Sequence, residues 1–186
     1  MKKYIIILAM MLSSTCSFSQ KIEKDYYQDK DHVIVTEWEE VEDNTDKRDV
    51  YVKLIVSQDS ISRVYSILFQ PYSYSYFSFS EGSKLLVKTM SDEVLTLTCY
   101  TSNSTYKQNV QIFMVPTKRY FCTVGYFVTE EELGKMISGI KKLRFEVTGE
   151  SFQYEYKKDK IGKYLKKAKD NADKALAKSK RFEDNF

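Results

Sequence analysis

Few residues in this chain are of the types that do chemistry. There is one histidine, His32, and there are three cysteines, Cys16, Cys99 and Cys122. Ser–His or Cys–His catalysis needs an imidazole base, so His32 would have to serve. It lies between Asp31 and Val33 where a strand-like run begins, and no Gly-x-Ser-x-Gly accompanies it. The expectation is a surface histidine at a strand entry. Zinc needs three or four clustered ligands, and one His with separated Cys offers no such spacing. Hard oxygen ligands for calcium stand at Glu37, Glu39, Glu40, Glu42, Asp43, Asp46 and Asp49. They lack the Asp-x-Asp-x-Asp-Gly pattern and read as a solvated strand end and loop. Paired carboxylates remain the one catalytic device to weigh, as in a small glycoside hydrolase. With 26 acidic residues and no motif, the sequence selects no pair. Glycine-rich phosphate loops are absent. No metal and no cofactor is expected.

Recognition is the better-supported chemistry. Tyrosine is abundant, at 15 residues, and Tyr72, Tyr74 and Tyr76 alternate with Ser73 and Ser75. In an extended segment they project from one face, about 7 Å apart. Exposed rings at that spacing stack on sugars or bind a protein, since Tyr joins a rigid apolar body to a polar tip. The same spacing also suits an internal stripe whose hydroxyls reach the rim of the core.

The first twenty residues read as an address. Lys2 and Lys3 precede the apolar run Tyr4–Leu12, and Ser17-Phe18-Ser19 offers small residues at a cleavage site before Gln20. This is a secretory signal peptide of the bacterial type, with an apolar run too short to span a bilayer. Acylation at Cys16 is the weaker reading, because Leu12 is one position too far and Thr15 stands where Gly or Ala is usual. Export to the periplasm or cell surface follows, and with it an oxidising compartment in which Cys99 and Cys122 are a candidate disulfide. Without residues 1–19 the formal charge drops from +3 to +1. That small net hides a division. Residues 21–50 carry a net of −6 and residues 157–186 a net of +6. The basic end is therefore expected to lie near the acidic start.

The elements that must position these residues are mostly strands. Val50, Val52, Leu54 and Val56 alternate, as do Tyr65, Ile67 and Phe69, with the period of a half-buried strand. Parity slips between Tyr76 and Phe77, which predicts a bulge or bend there. Lys84–Met90 and Val94–Tyr100 read as a hairpin, and Thr101–Asn109 as a loop. Tyr120, Cys122, Val124, Tyr126 and Val128 alternate as one run. Thr129 and Glu132 form a capping box that opens a helix near 130–138, with Val128 and Leu133 as its staple and Gly139 as its stop. Leu143, Phe145 and Val147, then Phe152, Tyr154 and Tyr156, make a second hairpin. A third segment, 160–186, is a basic helix with a seam of Ile161, Leu165, Ala168, Ala172, Ala175, Ser179 and Phe182. An alanine seam buries little area, so this helix is expected to dock shallowly or to pair with another chain.

The sequence thus predicts a signal peptide (1–19), a β-rich domain (20–159) and the C-terminal helix. Its fold class is α+β and mostly β: an antiparallel sandwich or strongly curved sheet with eight to ten strands. The order of strands, short helix, hairpin and long helix resembles that of uncharacterised small exported proteins of Bacteroidetes-type bacteria. The resemblance runs over Ser83–Cys99 and from Tyr126-Phe127-Val128-Thr129-Glu130-Glu131-Glu132-Leu133 through Lys142-Leu143-Arg144. It implies a location and a fold class, and no activity. The expected function is a non-enzymatic exported binding domain for a protein or glycan. The alternatives are a carboxylate-dependent hydrolase and an assembly protein dimerising through the C-terminal helix. Export speaks against nucleic acid as a partner of the lysine-rich segment, and no transmembrane span is expected.

Overall fold

The computed structural model describes residues 21–28, 31–42, 49–101, 105–112, 115–148 and 151–183. The signal peptide, its cleavage site and Cys16 lie outside them, as do Asp43, Asp46, Met114 and Gly149.

Twelve strands and two helices are described. In chain order the strands are β1 (Ile22–Gln28), β2 (Asp31–Thr36), β3 (Glu39–Glu42), β4 (Asp49–Gln58), β5 (Arg63–Ser73), β6 (Lys84–Thr89), β7 (Val94–Thr98), β8 (Tyr106–Ile112), β9 (Val115–Phe121) and β10 (Val124–Val128). Helix α1 (Glu130–Ile137), β11 (Ile140–Glu146), β12 (Ser151–Glu155) and α2 (Ile161–Glu183) follow. The fold is α+β, mostly β, with a curled antiparallel sheet.

The spine is the pair β4–β5, whose alternating residues bury Val50, Val52, Leu54 and Val56 against Tyr65, Ile67 and Phe69. Each spine strand is long enough to take two partners end to end. Strand β4 pairs with β2 over Ile55–Gln58 and with β3 over Asp49–Val52. Strand β5 pairs with β10 over Tyr65–Phe69 and with β9 at Tyr72 and Ser73. A second sheet runs β12-β11-β6-β7. The two meet where Cys99 bridges to Tyr126 and the Tyr100 N–H donates to the Gly125 carbonyl at 3.1 Å. The curl encloses an aromatic core in which Phe145 contacts Phe69, Phe79, Tyr126 and Tyr154.

Helix α1 follows its punctuation. The Thr129 hydroxyl accepts from the Glu132 N–H at 3.1 Å, and the Glu132 carboxylate accepts from the Thr129 N–H at 2.8 Å. Gly139, at φ +130°, ends it.

Helix α2 corrects the expectation of shallow docking. Ile161, Leu165, Ala168 and Ala172 are fully buried, joined by Tyr164 and Leu176. The alanines allow the helix to approach closely, and the area is supplied by Ile161, Tyr164, Leu165 and Leu176. Full burial of one such aliphatic side chain stabilises by about 1.5–3 kcal/mol. The helix packs on β1, β2, β4 and α1, so its apolar seam is covered within the chain. Asp159 caps it, accepting from the Gly162 and Lys163 N–H groups at 2.8 and 3.1 Å. A Cβ on Gly162 would lie 2.7 Å from the Met136 carbonyl oxygen and 2.8 Å from the Asp159 carboxylate, so glycine is needed where the helices meet. As the charge division predicted, the basic helix lies by the acidic start, with Lys160 Nζ 3.5 Å from the Glu42 carboxylate.

Three local readings differ. Tyr106–Asn109, read as part of a loop, is the first half of β8. The run Tyr120–Val128 is two strands, because the chain leaves β9 at Cys122-Thr123 to pair along a different part of β5. The strand count exceeds the eight to ten expected, chiefly because the N-terminal segment supplies three short strands that lack regular alternation.

Candidate functional site

The alternation that buries one side of the spine leaves the other side free to carry polar and aromatic groups. On this outer face the register of β3, β4, β5, β9 and β8 brings together residues far apart in sequence. Glu40 lies opposite Tyr51 and Glu42 opposite Asp49. Tyr51 lies opposite Gln70, Tyr72 opposite Phe121, and Phe121 opposite Tyr106. Gln108 lies opposite Arg119.

The structure splits the predicted tyrosine stripe. Tyr72 is 3% exposed, Tyr74 50% and Tyr76 66%. Strand β5 ends at Ser73, and a bend at Tyr74-Ser75 breaks the period two residues before the expected slip. Tyr72 and Tyr74 remain together, edge to face at 6.2 Å. Tyr76 instead meets Tyr120 at 6.1 Å on the reverse side of β9. Tyr72 is buried because Phe121 lies 5.8 Å from it and the Arg119 guanidinium lies 4.0 Å from its ring centre. Such a cation–π contact contributes about 0.5–2 kcal/mol. Tyr106 stacks on the far side of Phe121 at 5.8 Å, is 51% exposed, and accepts a hydrogen bond from the Gln70 amide.

Arg119, Phe121, Tyr106 and Gln70 carry no motif, and a single sequence does not reveal them. Their signal is the parity of β9 and β8, readable only once the strand pairing is known. The arginine is held by rings: its Nε is buried and has no hydrogen-bond partner among the described residues.

A carboxyl pair flanks the rings. Tyr51 donates to Glu40 at 2.7 Å, and the Asp49 N–H donates to the Tyr72 hydroxyl at 3.4 Å. Burial first, then the charge of Glu40 and a hydrogen bond shared with it, hold the Asp49 carboxyl above its ordinary range. Burial and the neighbouring Glu40 push the Tyr51 phenol up to about 12. Two carboxyls in hydrogen-bond contact are closer than the roughly 5–9.5 Å that glycosidases use.

His32 is not the surface residue expected. It is buried, its Nε2 lies 2.6 Å from an Asp25 carboxylate oxygen, and its ring stacks on Tyr27 at 4.5 Å. The pairing of β1 with β2 sets Tyr27 opposite His32. Both line a cleft of about 850 Å³ against α2, with Lys174 and Lys178 on the far wall. A serine of the cleft lining, Ser179, pairs with the Tyr27 hydroxyl.

Cys99 and Cys122 are both buried, and their sulfurs are not joined as the candidate disulfide in this structure. Cys99 Sγ instead donates to the Thr101 carbonyl at 2.8 Å. Burial pushes the Cys122 thiol up to about 11, and the pair serves as small apolar core residues. Among the described residues no group of three or more His, Cys, Asp or Glu is placed to hold a metal ion. No described helix is long and apolar enough to cross a membrane. No protein-family model, curated protein or solved structure matches this chain.

Proposed function

We propose that this protein is an exported, non-enzymatic binding module that meets its partner with the outer face of β3, β4, β5, β9 and β8. One observation carries the reading. Two half-exposed tyrosines, Tyr74 and Tyr106, stand on a bed of the buried Tyr72 and Phe121 and the half-buried Arg119. Rings already fixed by their neighbours lose little freedom on binding, and each side chain left mobile would cost about 0.5–1.5 kcal/mol. The bed is what a recognition surface requires and what a solvated strand face does not. The signal-like segment 1–19 and the resemblance to exported proteins support the location.

The test compares the wild-type chain with Tyr74→Ala/Tyr106→Ala and with Ile61→Ala, a fully exposed loop change away from the face. All three are immobilised and challenged with a cell-envelope extract, after circular dichroism shows equal folding. Wild type and Ile61→Ala are expected to retain the same material and the double variant to lose it. Equal retention by the double variant would remove the face from consideration.

A further inference from the structure

We propose that the outer face takes an uncharged carbohydrate chain, an inference that rests on the binding reading above. The groups on the face are those a polyhydroxylated ligand needs. A pyranose presents C–H bonds on one side, which pack against the negative face of an aromatic ring. Tyr74 and Tyr106 offer such faces at the two ends of a row whose successive ring centres lie 6.2, 5.8 and 5.8 Å apart. A sugar hydroxyl both donates and accepts. Here acceptors and donors alternate across neighbouring strands: carboxylates at Glu40 and Asp49, an amide at Gln70, a guanidinium at Arg119, and an exposed amide at Gln108. Arg119 brings N–H groups to the centre of the row, where Tyr72 and Phe121 hold it by ring contacts and no acid among the described residues forms an ion pair with it.

Charge and shape exclude the other occupants. Among the described residues a polyanion reaching Arg119 would pass Glu40 and Asp49, and beyond them Glu42, which Lys160 pairs. A polycation would be drawn to those acids and meet Arg119 in the middle. An uncharged chain meets neither obstacle. A protein interface is depleted of acids, whereas Glu40 and Asp49 stand beside the rings here. Beside the row the large exposed side chains are Tyr74 and Tyr106, while the apolar Val64 and Phe127 lie toward the other end of β5, at the level of Ser57 and Ser66.

The test is native affinity electrophoresis of the full chain through gels holding a neutral glucan, galactomannan or xylan. Parallel gels hold polygalacturonate or DEAE-dextran, each at low and high salt. At least one neutral polymer is expected to retard the wild-type chain equally at both salts, because no ion pair is screened. Tyr74→Ala and Tyr106→Ala are each expected to weaken that retardation about tenfold, or about 1.4 kcal/mol. Arg119→Gln, which keeps an amide donor, is expected to weaken it less than Arg119→Ala. Retardation only by a charged polymer, salt-sensitive and lost in the tyrosine variants, would overturn the uncharged class while keeping the binding face. A neutral polymer that retards wild type and variants alike would overturn the face itself. No retardation by any neutral polymer would overturn the inference.

Discussion

Gly125 is the position where a single methyl group tests the packing of the outer face most directly. A Cβ there would lie 2.5 Å from both Cζ and the hydroxyl oxygen of Tyr100. The neighbour is an aromatic ring held at both ends, so it cannot yield by a small rotation. Tyr100 shares a 2.7 Å hydrogen bond with Ser66 and stacks on Phe127 at 4.0 Å and 19°. Gly125→Ala must expel the ring. The lost hydrogen bond costs about 0.5–1.5 kcal/mol and the lost stack about 0.5–1.5 kcal/mol. Against this, alanine in a strand interior is favoured over glycine by about 0.5–1 kcal/mol. The net is a destabilisation of about 1–2 kcal/mol, or roughly 2–8 °C in Tm for a chain of this size. The assay is thermal and urea unfolding of wild type, Gly125→Ala, Tyr100→Ala and the double variant. With the ring already removed, Gly125→Ala should be stabilising by about 0.5–1 kcal/mol, giving a coupling energy of about 1–3 kcal/mol. An equal cost in both backgrounds would refute the clash and the account of Tyr100 as a held ring.

Three further outcomes are expected. Asp49→Asn should raise stability at neutral pH. The folded carboxyl titrates above its ordinary value, so its penalty is absent below the unfolded pKa, grows between that pKa and the folded one, and is complete above the folded one. The variant's advantage in Tm should therefore vanish near pH 3; an advantage that persists there would show another cause. Thr129→Ala should cost about 1 kcal/mol by removing the N-cap acceptor, read from urea midpoints at unchanged slope, whereas Thr129→Ser should restore it. Cys122 should resist iodoacetamide at pH 8 in the folded chain, since its thiol is buried and titrates at about 11. Denaturation of chain 20–186, which lacks Cys16, without reductant should then expose two alkylatable thiols by mass, and finding none would establish a Cys99–Cys122 bond.

Legibility from sequence divides along local and non-local lines. The alternation of Val50, Val52, Leu54 and Val56, the Thr129–Glu132 capping box and the spacing of Ile161, Leu165, Ala168 and Ala172 are all local patterns. Each produced the element expected of it. The depth of α2 was misjudged because alanine measures little buried area but permits close approach. Tyr72, Tyr74 and Tyr76 were read as equivalent because period two assumes that the strand continues, and the bend at Tyr74-Ser75 ends it. Arg119, Gln70 and Tyr106 reach the same face only through the pairing of β5, β9 and β8. No spacing along the chain encodes that meeting. His32 was placed at the surface for a similar reason, since Asp25 and Tyr27 cover it from a neighbouring strand.

The position of α2 also bears on how the chain reaches its fold. The helix follows all twelve strands, yet it packs on β1 and β2 at the other end of the sequence and on β4 between them. Chains emerge from the ribosome N-terminus first. Until Ile161–Leu176 have emerged, Ile34, Leu54 and Val56 lack one wall of their enclosure. A nascent chain is thus kept from settling by its own topology, through contacts of very long sequence separation that form slowly. Under the export proposed above, this delay is useful. The unsettled state is the one a translocation channel can thread, and the helix that would close the fold emerges after every described strand.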